Sequence, residues 1–451
     1  MMNTELIRKY NVPGPRYTSY PTVPYWGEKG ISIEDWESTL ISAFLESQGE
    51  GISLYIHLPF CESLCTFCGC HKKITKRHEV EDPYIKTVLK EWKLYTDFLP
   101  TVPKIKEIHL GGGTPTFFST ENLKLLIEGI LSRAELAEQY EFSFEGHPNN
   151  TTKEHLLTLY DLGFRRVSYG VQDYDPKVQF AINRIQPFEN VKRVHEWSKK
   201  IGYNSVNHDL VFGLPHQNLK GIEHTINKTN ELKPDRIAFY SYAHVPWMKG
   251  NGQRGFDEAD LPKNDEKRAL YELGKQMFYD QDYVEIGMDH FALKSDSLYK
   301  AMQNGSLHRN FMGYTAGATK VMIGLGMSAI SDSWYSFAQN EKSLKDYEKR
   351  VERMEVPIFR GHLLSNTDLM IRQHILDLMC RFETEFSGSD SHFIQVKSRL
   401  TDLIRDELVE ISGRKIKITE AGIPFVRNVC MAFDERLHQN KPQKKLFSQT
   451  V

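Results

Sequence analysis

Ser53-Leu54-Tyr55-Ile56-His57-Leu58-Pro59-Phe60-Cys61-Glu62-Ser63-Leu64-Cys65-Thr66-Phe67-Cys68-Gly69-Cys70 joins a strand-like run to a cluster of four cysteines. Residues 53–58 read as a strand, and the loop after Pro59 carries the thiols. Cys61, Cys65 and Cys68 have C-x3-C-x2-C spacing. Three close thiolates can hold three corners of a cubane iron–sulfur cluster, whereas the usual electron-transfer site uses four cysteines. A three-ligand site leaves one iron open, and an open metal position is where a substrate or cosubstrate binds. Two plainer readings compete: a structural zinc site, and a closed cluster that also uses Cys70. Zinc ligands usually come as separated C-x2-C pairs, and this chain has one compact group. Cys70 lies two residues beyond Cys68, so in extended backbone the two side chains point apart. That argues against Cys70 as a ligand unless the loop turns.

Outward from this loop the chain alternates strand and helix. Strand patterns fall at 105–110, 141–145, 166–170, 205–211, 236–242 and 283–286, with helical patterns between them. Tyr84, Ile85, Val88, Leu89, Trp92 and Tyr95 recur at helical spacing. Thr151 and Glu154 read as a capping box that opens a helix, and Gly163 closes it. This alternation predicts an α/β fold with a parallel sheet, a complete or partial (β/α) barrel whose site lies at the strand C-termini. Residues 1–50 lack that rhythm. Within them, 13–22 are rich in proline and aromatics and read as an ordered arm. Beyond about residue 360 the pattern becomes mostly helical, at 366–382, 393–407 and 422–437, with a short hairpin around Gly413. The expected division is therefore an arm (1–50), a catalytic domain (51–360) and a helical C-terminal domain (361–451). The tail from Gln439, with Lys441, Lys444 and Lys445, reads as a solvated end.

The balance of charge, 57 Lys and Arg against 59 Asp and Glu, calls for neither nucleic acid nor an anionic membrane. No long apolar run and no signal sequence is present, so a cytoplasmic location and no membrane span are expected. A reducing compartment suits four crowded thiols as metal ligands better than as disulfides. Cys380 and Cys430 sit alone in apolar, helix-like surroundings and read as buried spectators.

Polar residues gather at the strand ends. Gly111-Gly112-Gly113-Thr114-Pro115 ends one strand, and its missing side chains let backbone approach a ligand closely. Glu145, Gln172, Asp209 and the nearby Arg184 close or follow others. Glu145 and Asp209 can accept from hydroxyls or an amine, and Arg184 can clamp a carboxylate. Each could instead cap a helix or satisfy loop amides. Gly324-Leu325-Gly326-Met327-Ser328-Ala329 loosely matches a dinucleotide motif, but no βα unit with an acidic partner supports it.

With these residues in hand, the chain resembles the radical S-adenosylmethionine (SAM) enzymes, and within them the oxygen-independent coproporphyrinogen III oxidase family of haem biosynthesis. The resemblance runs nearly end to end. It is carried by the arm at 14–22, residues 55–61, the cysteine run including Cys70, Gly111 to Pro115, Gly170-Val171-Gln172-Asp173, Asn183-Arg184, Gly213-Leu214-Pro215, Tyr242-Ala243-His244, Gly287-Met288-Asp289-His290-Phe291 and His308-Arg309-Asn310-Phe311. It implies that Cys61, Cys65 and Cys68 ligate a [4Fe-4S] cluster. A first SAM would chelate the fourth iron, with Tyr55, Gly112, Glu145 and Ile330 around it. A second SAM would lie beside Phe67, Gly113, Thr114, Gln172, Arg184, Asp209 and Ala243. Cys70 and Tyr55 would take part in catalysis. The implied reaction converts two propionates of coproporphyrinogen III to vinyl groups through a 5′-deoxyadenosyl radical, giving protoporphyrinogen IX. A low-potential electron donor of unknown identity would be a partner, and the family suggests a monomer.

A substrate with four carboxylates needs cations and donors, and Arg16, His308, Arg309 and Lys320 are the candidates. The arm is expected to close over the cavity. The chain also departs from the expected pattern. Gly146-His147-Pro148-Asn149 stands where an aliphatic residue, Asp, Pro and Arg are expected. Met312 takes the place of an expected Gln, and residues 314–318 are less polar than expected. The alternatives are a haem-carrying chaperone of the same superfamily, which lacks the fourth cysteine and the arm, and another tetrapyrrole-modifying radical SAM enzyme.

Overall fold

The computed structural model describes residues 4–27, 30–47, 49–246, 252–253, 255–440 and 446–450. Six strands alternate with six helices at its centre. They are β1 (Ile52–Leu58), α1 (Glu81–Phe98), β2 (Lys104–Gly112), α2 (Thr120–Leu131), β3 (Glu135–Gly146), α3 (Lys153–Asp161), β4 (Phe164–Gln172), α4 (Phe188–Ile201), β5 (Ser205–Phe212), α5 (Leu219–Leu232), β6 (Arg236–Ser241) and α6 (Asn264–Tyr279). The strands pair in parallel in chain order. Among the described residues they belong to one twelve-stranded sheet. Met322–Leu325 adds a further parallel strand beside β1. The two edges of the sheet, Ile358–Leu363 and Tyr283–Gly287, do not pair with each other, so the barrel is partial.

Alternation along the strands explains where a site can form. Leu54 and Ile56, Ile108 and Leu110, Phe142 and Phe144, and Val167 are fully buried in one apolar core with Tyr84, Val88 and Trp92 of α1 and Leu123 and Ile127 of α2. Burying a large apolar side chain stabilises the fold by about 1.5–3 kcal/mol. The intervening positions are polar. Tyr55 and His57 stand beside His109 and Gly111, Ser143 and Glu145 beside Arg166 and Ser168, and Ser168 and Gly170 beside Asn207 and Asp209. Parallel sheets are usually apolar on both faces. Here the inner face is a polar surface that opens at the strand C-termini.

Several elements differ from expectation. Tyr283–Gly287 is in the sheet, but it runs antiparallel to His290–Leu293, which itself runs antiparallel to β6. Two reversals leave Tyr283–Gly287 running in the same sense as β6, and what the pattern did not show is the strand His290–Leu293 between them. The cap of α3 is Thr152, whose hydroxyl accepts from His155 N at 3.2 Å, with the His155 ring completing the box. Thr151 instead donates to the His147 carbonyl at 2.9 Å. In agreement with the rejection of a dinucleotide motif, Met322–Leu325 turns into the antiparallel strand Ile330–Asp332 and not into a helix. An amphipathic helix, Ile33–Glu46, lies within the first fifty residues, capped by Ser32 and burying Trp36, Leu40 and Ala43.

The C-terminal part holds a second core. Helices Asn366–Arg381, Asp390–Arg399, Thr401–Arg405 and Val426–Phe433 pack with a three-stranded sheet of Glu383–Glu385, Val409–Ser412 and Lys415–Ile418. Glu383–Glu385 is the strand the hairpin pattern did not reveal. Cys380 and Cys430 are buried, as expected. The arm forms no helix or strand through residues 13–22 and bends at 18–21. It joins this second core rather than standing free, since Tyr10, Tyr17 and Tyr20 are buried in it. Lys441, Lys444 and Lys445 lie outside the described residues. The last described residues are not a solvated end. Thr450 N donates to Val12 O at 2.9 Å, and Gly14 N donates to Ser448 O at 3.0 Å.

Candidate active site

β1 delivers the cysteine loop at the C-terminal end of the sheet. Phe60–Cys61 pairs with Lys73–Ile74 and closes the base of the loop. The Lys72 ammonium donates to the carbonyls of Cys68 and Cys70 at 3.1 and 3.3 Å. The far side is pinned to the segment after β4. Thr66 N donates to Ile182 O at 3.0 Å, and the Asn183 amide donates to Leu64 O at 2.7 Å. The loop is thus held from two sides before any ligand arrives.

All four cysteines line one cavity of ≈ 540 Å³. Phe67, Gly112, Gly113, Thr114, Glu145, Gln172, Arg184 and Asp209 line it with them. Cys61 Sγ lies 3.4 Å from the Thr114 hydroxyl, and burial pushes its thiol up to about 11. Cys68 and Cys70 do not point apart as extended backbone would require. The loop turns and brings the two thiols near enough to interact. Their interaction pulls Cys68 down to about 6 and raises Cys70. Arg184 donates to Gly170 O at 2.6 Å, while its Nη1 lies 3.7 Å from Cys65 Sγ.

Glu145 and Asp209 stand on neighbouring faces of the cavity. The Gly112 amide donates to Glu145 at 3.3 Å. Asp209 accepts from the Ser168 hydroxyl at 2.8 Å and from Asn207 at 2.7 Å. Burial pushes its carboxyl up to about 6. Gly113 is required by close approach: a Cβ there would lie 2.6 Å from the Pro59 carbonyl. Backbone cannot yield as a side chain can. Gly113→Ala is therefore expected to open the loop and weaken SAM binding at least about tenfold, read by equilibrium binding (1.4 kcal/mol per tenfold).

Three of the expected cofactor residues stand back from the cavity wall. Tyr55 stacks on His109 at 6.0 Å and donates to His57 Nδ1 at 3.0 Å. His109 Nε2 in turn faces Glu145 at 3.5 Å. Ala243 is tied to Phe67 through the buried Gln253, whose amide donates to both carbonyls at 3.1 and 3.0 Å. Ile330 lies one strand further out: its backbone abuts Gly324, the partner of Tyr55.

The substrate candidates divide. None lines the cavity. Arg16 is ion-paired with Asp289, and Arg309 donates to Arg16 O at 3.3 Å with its guanidinium over the Tyr314 ring. Burial pushes His308 down to about 4, so it is a neutral ring, not a cation. Lys320 pairs with Glu46 at 3.0 Å on an exposed surface. It precedes the strand beside β1, so it sits at the N-terminal end of the sheet, opposite the cysteines. That placement removes it as a substrate contact.

Other residues at the site were not singled out from sequence. Tyr240 lines the cavity from β6, and His57 holds the base of the loop by its Nε2 on His71 O at 2.8 Å. Inward alternation from Tyr55 and from Ala238 would have found both. Gln253 carries no local signal. The Gly146 departure has a local cause, since a Cβ there would lie 2.8 Å from the Tyr169 ring.

The donor set suits an iron–sulfur cluster. Soft thiols from one loop face a cavity of ligand size, and Arg184 Nε is buried without a protein partner among the described residues. No group of three or more His, Cys, Asp or Glu converges to hold a single ion among those residues. Ligands of a cubane bind different irons and need not converge on one point.

A partial (β/α) barrel with this cysteine loop at its open rim defines a radical SAM enzyme, and residues 55–229 match the radical SAM superfamily. The chain is 37% identical to the oxygen-independent coproporphyrinogen III oxidase of Synechocystis, over 100% of this chain and 98% of that protein. The same enzyme of Helicobacter pylori is 36% identical, over 99% of both chains. The structure of coproporphyrinogen III oxidase (HemN) from Escherichia coli, a radical SAM enzyme, superposes with a TM-score of 0.89 at 31% identity, covering 96% of this chain and 99% of that one. The chain belongs to the oxygen-independent coproporphyrinogen III oxidase family. It is an oxidoreductase of the radical SAM class, with an iron–sulfur cluster and SAM as its cofactors. No helix among the described residues is long and apolar enough to cross a membrane.

Proposed function

We propose that the chain oxidatively decarboxylates two propionate side chains of coproporphyrinogen III to vinyl groups, giving protoporphyrinogen IX in haem biosynthesis. The observation that carries this reading is the cavity in which three thiols with cluster spacing, a fourth thiol and the Glu145–Asp209–Arg184 set meet. When bound, the cluster and SAM supply a 5′-deoxyadenosyl radical able to take hydrogen from an unactivated C–H bond. The substrate loses one hydrogen atom, CO2 and one electron per vinyl group formed.

The protein's own residues position and shield. Cys61, Cys65 and Cys68 would ligate the cluster. Gly112 and Glu145 would line the site of a first SAM, with Tyr55 and Ile330 behind them. Phe67, Gly113, Thr114, Gln172, Arg184 and Asp209 would line the site of a second, with Ala243 behind them. Glu145 and Asp209 accept from ribose hydroxyls or an ammonium, which fixes the reacting carbon near its target. Arg16 and Arg309, which lie near Tyr240 outside the cavity wall, remain candidates for the substrate's outer carboxylates. We assign the arm to 1–50, catalysis to 51–360 and the helical part to 361–451, with the sheet edge Ile358–Leu363 straddling the second boundary. A cytoplasmic monomer fed by a low-potential electron donor completes the proposal.

The direct test is anaerobic. Reconstituted protein with reductant, SAM and coproporphyrinogen III should yield protoporphyrin after workup and two 5′-deoxyadenosine per product. Deoxyadenosine with methylated or unchanged tetrapyrrole would refute the proposed reaction. Cys70→Ser separates chemistry from cluster assembly. It leaves three ligands, so the cluster spectrum and SAM cleavage should persist while product falls more than about 100-fold, or about 2.7 kcal/mol. Loss of the cluster in this variant would make Cys70 a ligand.

A further inference from the structure

His147 sits where the chain departs from the expected pattern, and it lines the cavity. It follows β3 and is fixed on several sides. Its amide donates to the Thr116 hydroxyl at 3.3 Å. Its carbonyl accepts from the Thr151 hydroxyl and from the Asn150 and Thr151 amides, each at 2.9 Å. Its ring Nδ1 accepts the Asn149 N–H at 3.2 Å. Asn149 is anchored in turn, donating to Ile185 O at 2.9 Å and accepting from Asn190 at 3.0 Å. A neutral imidazole that accepts at Nδ1 carries its proton on Nε2. Burial, reinforced by the nearby Arg184 guanidinium, pushes the ring down to about 2 and keeps it neutral. Its Nε2–H has no protein partner among the described residues.

Arg184 shares the cavity with this N–H. Its Nη2 is spent on Gly170 O, and its Nε is buried without a partner among the described residues. A fixed charged donor and a fixed neutral donor therefore share one cavity. The group that such a pair recognises is a carboxylate.

We infer that His147 Nε2–H and Arg184 together bind a carboxylate of a ligand in this cavity. The inference rests on the function proposed above, which offers two sources of that group: the amino-acid end of a SAM and a propionate of the tetrapyrrole. His147 acts here by direct contact, and its neutral ring adds a donor without adding repulsion to Arg184.

The test uses reconstituted full-length protein with His147→Ala and His147→Gln. One arm measures the SAM dissociation constants and stoichiometry without tetrapyrrole. The other measures KM and kcat for coproporphyrinogen III at saturating SAM. His147→Ala should weaken one arm about tenfold or more, the scale of a lost hydrogen bond to a charged group. His147→Gln retains a side-chain N–H donor and should recover most of the loss. A change confined to the SAM constants names SAM as the source, and a change confined to KM names the propionate. The inference is overturned if neither arm moves in His147→Ala, or if His147→Gln is as weak as His147→Ala. Failure of the unsubstituted protein to bind SAM or form protoporphyrin is a separate result, which sinks the proposed reaction rather than this contact.

Discussion

Cys65→Ser is expected to give a folded protein with no cubane absorbance and no SAM cleavage. The thiol is only half-buried, and its loop is held by contacts the substitution leaves intact. Cys65 O still accepts from Cys68 N at 3.2 Å, and Asn183 still holds Leu64. What disappears is one of the three proposed iron ligands. A serine hydroxyl stays protonated at neutral pH and is a hard, weak substitute for a thiolate. With two thiols left, the cluster would have no third anchor. Formation of 5′-deoxyadenosine should fall at least about a thousandfold, about 4 kcal/mol. Iron content and visible absorbance should fall with it, while the melting temperature of the protein without its cluster stays within a degree or two. Cleavage within tenfold of the unsubstituted enzyme would remove Cys65 from the ligand set.

The central α/β alternation was legible because each strand carries both an apolar and a polar face. The same alternation put Glu145 and Asp209 on one rim. Three kinds of information were not local enough to read. Strand order was one: Tyr283–Gly287 runs in the same sense as β6 but joins it only through His290–Leu293, whose antiparallel place between them no local pattern shows. Short elements were another. Strands such as Ile330–Asp332 are three residues long and show no period. The third was distance. Lys320 and Arg309 are both cations near the end of the barrel sequence, yet one pairs with Glu46 outside and the other lies buried beside the arm. The helix Ile33–Glu46 was readable, since Trp36, Leu40 and Ala43 recur at i, i+4 and i+7 after a serine cap. The proline-rich arm beside it drew the reading of that whole stretch toward irregular structure.

That arm is where a lid and a structural strap make opposite forecasts, and the packing favours the strap. Tyr17 and Tyr20 are 2% and 1% exposed and lie in the core of the C-terminal part. The Tyr17 hydroxyl donates to Asp434 at 3.0 Å. Buried Arg427 donates to the carbonyls of Pro15 and Gly14, and Asn428 donates to Tyr10 O at 2.9 Å. Deleting residues 1–25 strips three buried tyrosines from this core, at about 1.5–3 kcal/mol each. It also leaves Arg427 without two of its acceptors, about 1–3 kcal/mol for each buried group unpaired. The total rivals the 5–15 kcal/mol that holds a typical domain together. The truncated chain should therefore be insoluble, or should lose the cooperative melting of its C-terminal helices, and should not survive as an enzyme that cleaves SAM without making product. Tyr17→Ala with Tyr20→Ala in the full chain isolates the packing. This pair should lower the melting temperature by several degrees while leaving the cluster spectrum intact. A soluble truncation with an unchanged melting temperature and SAM cleavage uncoupled from product would restore the lid and end the strap.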